Sequence, residues 1–191
     1  MILLIFVLSS VGCFLYHFQD KLLPVEVSSA QHVVQIKKKS NTLVALESYI
    51  SQTNPLLPNK EVAQYAILID KYASQNKIDP YLLAGLMRVE SRFDRYAVSD
   101  AGALGLTQVV PKWHREKIKA LKSSFGHFDI FEPEHNVALG SMILAEYMIK
   151  SKTKIGSLLR YNGSLGMKKA TYAKEVLAAR EIAWGFRRRL T

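Results

Sequence analysis

The stretch Asp79-Pro80 followed by YLLAGLMRVES constrains the fold more than any other part of the chain. An aspartate directly before a proline reads as an N-cap with proline at the first helical position, where its missing N–H is no loss. The turns that follow carry Leu82, Leu83, Leu86 and Met87 and are almost wholly apolar, running to about Arg92. A helix this apolar is stable only where other elements cover it.

The flanking sequence supplies those elements as more helices. EVAQYAILIDKYASQN places Val62, Tyr65, Ile69 and Tyr72 on one face. Downstream, LTQVV before Pro111 is expected to form a short helix and WHREKIKAL another. PEHNVALGSMILAEYMIKS, 133–151, sets Val137, Gly140, Ile143, Leu144 and Tyr147 in helical register. KIGSLLRYNG reads as a shorter helix. ATYAKEVLAAREIAWGFRRRL closes the chain as a helix with basic residues in its last turn, which suits the helix dipole. No segment reads as a strand. The expectation is a predominantly α chain whose residues 61–191 form a compact bundle. At 49% hydrophobic and 22% charged residues, the composition is that of a globular protein. A single cysteine, Cys13, excludes an internal disulfide framework, and the five histidines are scattered without metal-ligand spacing.

Residues 1–18, MILLIFVLSSVGCFLYHF, contain no charged side chain and reach the lower length limit of a membrane-spanning helix. A cleavable signal would carry Lys or Arg ahead of its apolar core, and none is present. An uncleaved membrane anchor is therefore expected over 1–18, with lipidation at Cys13 as the alternative. Lys21 and Lys37 to Lys39 follow the segment, and by the positive-inside tendency they favour keeping that side cytoplasmic. Residues 19–60 read as a connector with Pro24, Pro55 and Pro58, a serine-rich patch and one short helical segment at NTLVALESYI.

The formal net charge of +10 implies an anionic partner: nucleic acid, a membrane surface or an acidic wall polymer. A nucleic-acid binder needs basic residues interleaved with aromatics on one face. Here the basic runs, 37–39 and 187–189, are terminal, which argues against nucleic acid.

Glu90 sits at the C-terminal end of the apolar helix. Loss of hydration and the partial negative charge of a helix C-terminus both raise a carboxyl pKa, as a general acid near neutrality requires. Arg88 and Arg92 are two positions away and point to the sides. On these grounds alone, a surface glutamate paired with a basic residue is the commoner case.

The residues around Glu90 reverse that preference. Glu90-Ser91-Arg92-Phe93, then Ser99, Gly102-Ala103 and Gly105-Leu106-Thr107-Gln108, follow in order. Further on come Asn136, Gly140 and Leu144 on one helix, Tyr161-Asn162-Gly163, and Tyr172 with Val176. This set resembles the lytic transglycosylase family of the lysozyme superfamily, enzymes that cleave the glycan strand of peptidoglycan, and the resemblance spans about 61–182. Thr107 stands where the family has methionine, and Arg160 where it has alanine. The methionine's loss bears on an apolar wall of the sugar site.

The resemblance implies a lysozyme-like helical bundle, similar to goose-type lysozyme, behind the N-terminal anchor. It implies Glu90 as the catalytic acid and base, with Ser99, Gln108, Tyr161, Asn162 and Tyr172 binding substrate. Two-carboxylate glycosidases need a partner acid, whereas this family uses one glutamate, without metal or cofactor. The implied reaction protonates the oxygen between N-acetylmuramic acid and N-acetylglucosamine and closes a 1,6-anhydro ring. Gly102 and Gly105 would let backbone approach the sugar. The partners expected are the peptidoglycan strand, the membrane through 1–18, and a secretion, conjugation or phage assembly that needs a local gap. The domain would face the periplasm or wall, or be virion-associated. Two other readings remain: a goose-type hydrolase, in which water completes the reaction, and a catalytically silent wall-binding component. Trp113 is open between sugar stacking and packing, as are Tyr147 and Tyr172 on residues alone. Trp184 and the histidines read as structural.

Overall fold

Seven α-helices and one 3-10 turn make up the described residues, 39–166 and 170–191, of a computed structural model. They are α1 Asn41–Thr53, α2 Asn59–Gln75, α3 Pro80–Ser91, α4 Arg115–Phe125, α5 Pro133–Lys150, α6 Lys154–Tyr161 and α7 Thr171–Arg188, with the 3-10 turn at Pro111–Trp113. The expected anchor over 1–18, Cys13 and residues 19–38 of the connector lie outside the described residues. Among those described, no helix is long and apolar enough to cross a membrane.

Helix α3 starts as its sequence dictates: Asp79 Oδ1 accepts from the Tyr81 N–H at 2.9 Å, and Pro80 opens the first turn. Every residue from Tyr81 to Met87 is buried. This central helix packs against α1, α2 and α7. The contact with α7 is backbone to backbone at Gly85, where a Cβ would lie 2.8 Å from the Arg180 nitrogen and 2.9 Å from the Val176 oxygen. Asp79 Oδ2 also accepts from Arg180 Nε at 2.7 Å, which ties the start of α3 to the middle of α7. The two helices are thereby held close along their length, which carries Tyr172 to the end of α3.

Two local expectations change. The helical segment inside the connector is a full core helix: Ser40 caps α1 by accepting from Leu43 N–H, and Ala45, Leu46, Tyr49 and Ile50 are buried. Its apolar stripe packs on α2 and α7, so the compact unit begins at Lys38. The short helix expected over LTQVV is absent. Leu104 instead forms isolated antiparallel bridges with Val98 and Val109, and the chain reverses through φ values of 74° at Gly105 and 47° at Gln108. Positive φ interrupts a right-handed helix. Pro111 disfavours helical backbone at Val110 before it.

Candidate active site

Glu90 occupies the last turn of α3, and the chain then leaves the helix abruptly. Arg92 and Phe93 both take left-handed backbone, φ 53° and 65°. Such values are uncommon for side chains of that size and persist only where surroundings enforce them. Phe93 is fully buried and packs edge-on against Tyr49 of α1, ring centres 6.1 Å apart. Asn54, just past α1, donates from Nδ2 to the Arg92 carbonyl at 3.2 Å. Ser91 Oγ accepts from the Phe93 N–H at 3.1 Å and donates to the Leu106 carbonyl at 2.8 Å. Helix α1 and the 97–109 loop thus brace the end of α3 from both sides.

The Tyr172 hydroxyl, from the first turn of α7, donates to Glu90 Oε1. Burial pushes the Glu90 carboxyl up to about 7, while the Tyr172 hydrogen bond pulls the other way. No ion pair among the described residues involves Glu90, so it is not the paired surface glutamate that residue statistics favour. Burial, and then the Glu90 charge, also pushes the Tyr161 and Tyr172 phenols upward. Both therefore remain proton donors beside a carboxyl that titrates near neutrality.

The loop between α3 and the 3-10 turn is held by Asn136 of α5. Its Nδ2 donates to the carbonyls of Leu104 (3.0 Å) and Ile130 (2.9 Å), and its Oδ1 accepts from the N–H and hydroxyl of Thr107. This geometry corrects two expectations. Thr107 is fully buried under Gly140 rather than standing in a sugar-facing wall. Gly105 makes room for Asn136, since a Cβ there would lie 2.3 Å from Asn136 Nδ2. Tyr161 donates to the Thr107 carbonyl at 2.9 Å, which links the end of α6 to the same loop.

The candidate residues divide into two groups and one outlier. Glu90 and Tyr172 are hydrogen-bonded, with Tyr161 within reach of the Glu90 charge. Gln108, Tyr161 and Asn162 line one cavity of about 240 Å³, so Tyr161 belongs to both groups. Gln108 spends its Nε2 on the carbonyls of Ala97 and Gly105. Ser99 braces its own turn, its Oγ accepting from the Ala103 N–H at 3.0 Å, and it is not in the cavity lining. Asn162 and Gly163 also close α6, with Gly163 at φ 71° and the Ser164 N–H bonded to the Leu159 carbonyl.

Trp113, His114, Tyr147 and Arg160 share the cavity. Trp113 is 72% exposed there and so is not a packing residue. Burial and then the nearby Lys117 push the His114 imidazole downward, which keeps it neutral near pH 7. Its position, read from sequence as structural, carried no signal because no partner residue adjoins it. Trp184 packs on Tyr81 at 5.1 Å and His135 lies buried beside Phe125 and Phe128. Among the described residues no cluster of three or more His, Cys, Asp or Glu is placed to hold a metal ion.

Comparison with known proteins gives a consistent result. A family profile described as "Transglycosylase SLT domain" matches residues 67–181. "Membrane-bound lytic murein transglycosylase C" of Actinobacillus pleuropneumoniae serotype 5b (strain L20) is 42% identical over 85 residues, covering 43% of this chain and 23% of that protein. The protein of the same name from Serratia proteamaculans (strain 568) is 30% identical over 151 residues, 72% of this chain and 42% of the relative. The chain thus spans less than half the length of these relatives. Among solved structures, the 70 kDa soluble lytic transglycosylase of Escherichia coli matches with a TM-score of 0.57 at 18% identity, over 78% of this chain and 31% of that one. That likeness establishes a shared fold.

Proposed function

The chain belongs to the transglycosylase SLT domain family, and from that premise we propose that it is a peptidoglycan lytic transglycosylase with Glu90 as its single proton-transfer group. The observation that carries the reading is the Glu90 carboxyl, in no ion pair among the described residues, held protonated to about pH 7 and oriented by Tyr172. The names of the relatives, lytic murein transglycosylases, support the substrate.

In the proposed mechanism Glu90 donates its proton to the oxygen joining N-acetylmuramic acid to N-acetylglucosamine, and the bond from that oxygen to the muramic C1 breaks. Positive charge then develops at C1. The Glu90 carboxylate takes the proton of the C6 hydroxyl as that oxygen bonds to C1, which closes a 1,6-anhydro ring and returns Glu90 to its starting form. No water is consumed and no second carboxylate is needed. Asp94 and Asp100 are exposed, and Asp94 is engaged in capping the Tyr96 N–H, which fits a one-carboxylate scheme. Gln108, Tyr161 and Asn162 would hold the strand in the cavity, while Ser99 shapes the adjoining turn and presents its hydroxyl.

The apolar segment 1–18 and the membrane-bound relatives support tethering of the domain at a membrane, facing the wall. Cleavage beside a membrane opens the mesh locally, the step that a secretion, conjugation or phage assembly requires. Mass analysis of muropeptides released from purified peptidoglycan tests the chemistry, with Glu90→Gln run beside the parent. Products one water lighter than reducing-end muropeptides are expected. Reducing-end muramic acid alone would replace this reading with hydrolysis of the goose-lysozyme type. Release by Glu90→Gln as fast as by the parent would remove Glu90 from the reaction.

A further inference from the structure

We propose that Arg160 selects glycan strands by a carboxylate carried on their muramic acid units, an inference that rests on the cleft being a peptidoglycan site. Arg160 precedes Tyr161-Asn162-Gly163, at the position where the family pattern has alanine. Helix α6 places it in the cavity with Gln108, Tyr161 and Trp113. Its Nε donates to Ser151 Oγ at 3.1 Å, which fixes the guanidinium plane from one edge. Among the described residues Arg160 makes no ion pair, and the Nε bond is its one side-chain hydrogen bond. Glu146, next in sequence to the cavity residue Tyr147, is already held by Lys117 and Lys150.

The cavity therefore presents an oriented cation whose Nη groups meet no anion among the described residues. A guanidinium edge offers two parallel N–H donors that match a carboxylate. The amino sugars of the strand are N-acetylated and neutral, so sugar hydroxyls and amides give such an edge no charged partner. The strand's anions lie on muramic acid: the lactyl carboxylate where the stem peptide has been removed, and the carboxylates of the stem where it remains. These are one ligand chemistry from two sources. Gln108 and Tyr161 spend their donors on backbone carbonyls, so neither substitutes for Arg160 in this role.

The test uses the full chain carrying Glu90→Gln, so that the strand is bound without turnover. Pelleting at physiological salt is measured with intact sacculi, with sacculi stripped of stem peptides by an amidase, and with stripped sacculi whose carboxylates are methyl-esterified. At least one anionic polymer is expected to bind about five- to tenfold more tightly than the esterified one, the range of a partly solvated charge-assisted pair. Preference for stripped strands assigns the lactyl carboxylate, and preference for intact sacculi assigns the stem. Adding Arg160→Gln, which keeps a hydrogen-bonding group near Ser151, should erase the preference, and Arg160→Lys should retain part of it. Circular dichroism melting identifies any variant whose binding loss is unfolding, and the second substitution then decides. Equal binding of all three polymers by the parent, or an undiminished preference in Arg160→Gln, overturns the proposal. Because the readout is binding, absence of lyase activity in the parent would overturn the function and leave this ratio measurable by itself.

Discussion

Tyr172 donates its hydroxyl proton to Glu90 Oε1, joining the first turn of the last helix to the final turn of α3 across 82 residues of sequence. The bond exists because Gly85 lets α7 lie directly on α3. Among the described residues it is the interaction that opposes the burial of Glu90, since it favours the charged carboxylate.

Removing it should therefore move the carboxyl further up. For Tyr172→Phe, kcat/KM on peptidoglycan is expected to fall about tenfold, as for loss of a hydrogen bond to a charged group. The alkaline limb of its pH profile should shift to higher pH. In the parent that limb is expected near pH 7, because the acid must enter the reaction protonated. A limb that stays in place would mean that Tyr172 only packs against Glu90.

Glu90→Gln should lower turnover about 10²- to 10⁴-fold, the range for a positioned general acid. It should also change stability in a defined direction. The folded value of about 7 exceeds the ordinary 4.5 of the unfolded chain, so between these values the folded state holds a proton that the unfolded chain has released. Parent stability falls as pH rises through that window, by on the order of 3 kcal/mol at most. The glutamine variant lacks this slope and should be the more stable protein at pH 8. Denaturant titrations of both proteins at pH 4 and pH 8 measure the difference.

The helix that carries Glu90 was legible because Asp79-Pro80 and an unbroken apolar run admit one reading. The family pattern brought Tyr161 and Tyr172 to notice, although nothing local to either residue marks it. What could not be read is tertiary. Left-handed backbone at Arg92, Phe93 and Gln108 is imposed by neighbours, so a helix at LTQVV was a fair expectation and still does not form. Thr107 reads in the sequence as a substitution in a sugar site because the family pattern has methionine there. In the folded loop its side chain turns under α5 to Asn136. Arg160 was noticed only as a departure, since its access to the cavity depends on Ser151 and on the packing of α6.

Asn136 and Gly140 define the tolerance of that loop. Asn136→Ala leaves the buried Thr107 N–H and the carbonyls of Leu104 and Ile130 without their side-chain partner, and should cost about 3 kcal/mol. Gly140→Ala would put a methyl group 2.4 Å from Thr107 Oγ1, an overpacking worth about 1–3 kcal/mol. Urea midpoints check both. Because Tyr161 hangs from the Thr107 carbonyl, activity should decline with either change before the fold is lost.

Helix α1 gives the last prediction, about where the catalytic unit begins. A chain cut to start at residue 61 corresponds to the domain expected from sequence, yet it lacks Leu46, Tyr49 and Ile50, all fully buried. At about 2 kcal/mol for each large apolar side chain, their loss approaches the whole stability of an ordinary domain. The same cut removes the Tyr49 ring from Phe93 and the Asn54 amide from the Arg92 carbonyl, two of the contacts that hold the left-handed turn beside Glu90. A chain starting at residue 38 should melt cooperatively and cleave peptidoglycan, whereas one starting at 61 should show neither a cooperative transition nor activity. Calorimetry of the two truncations decides it: equal transitions would make α1 an accessory, while the expected difference makes it part of the scaffold that aims Glu90.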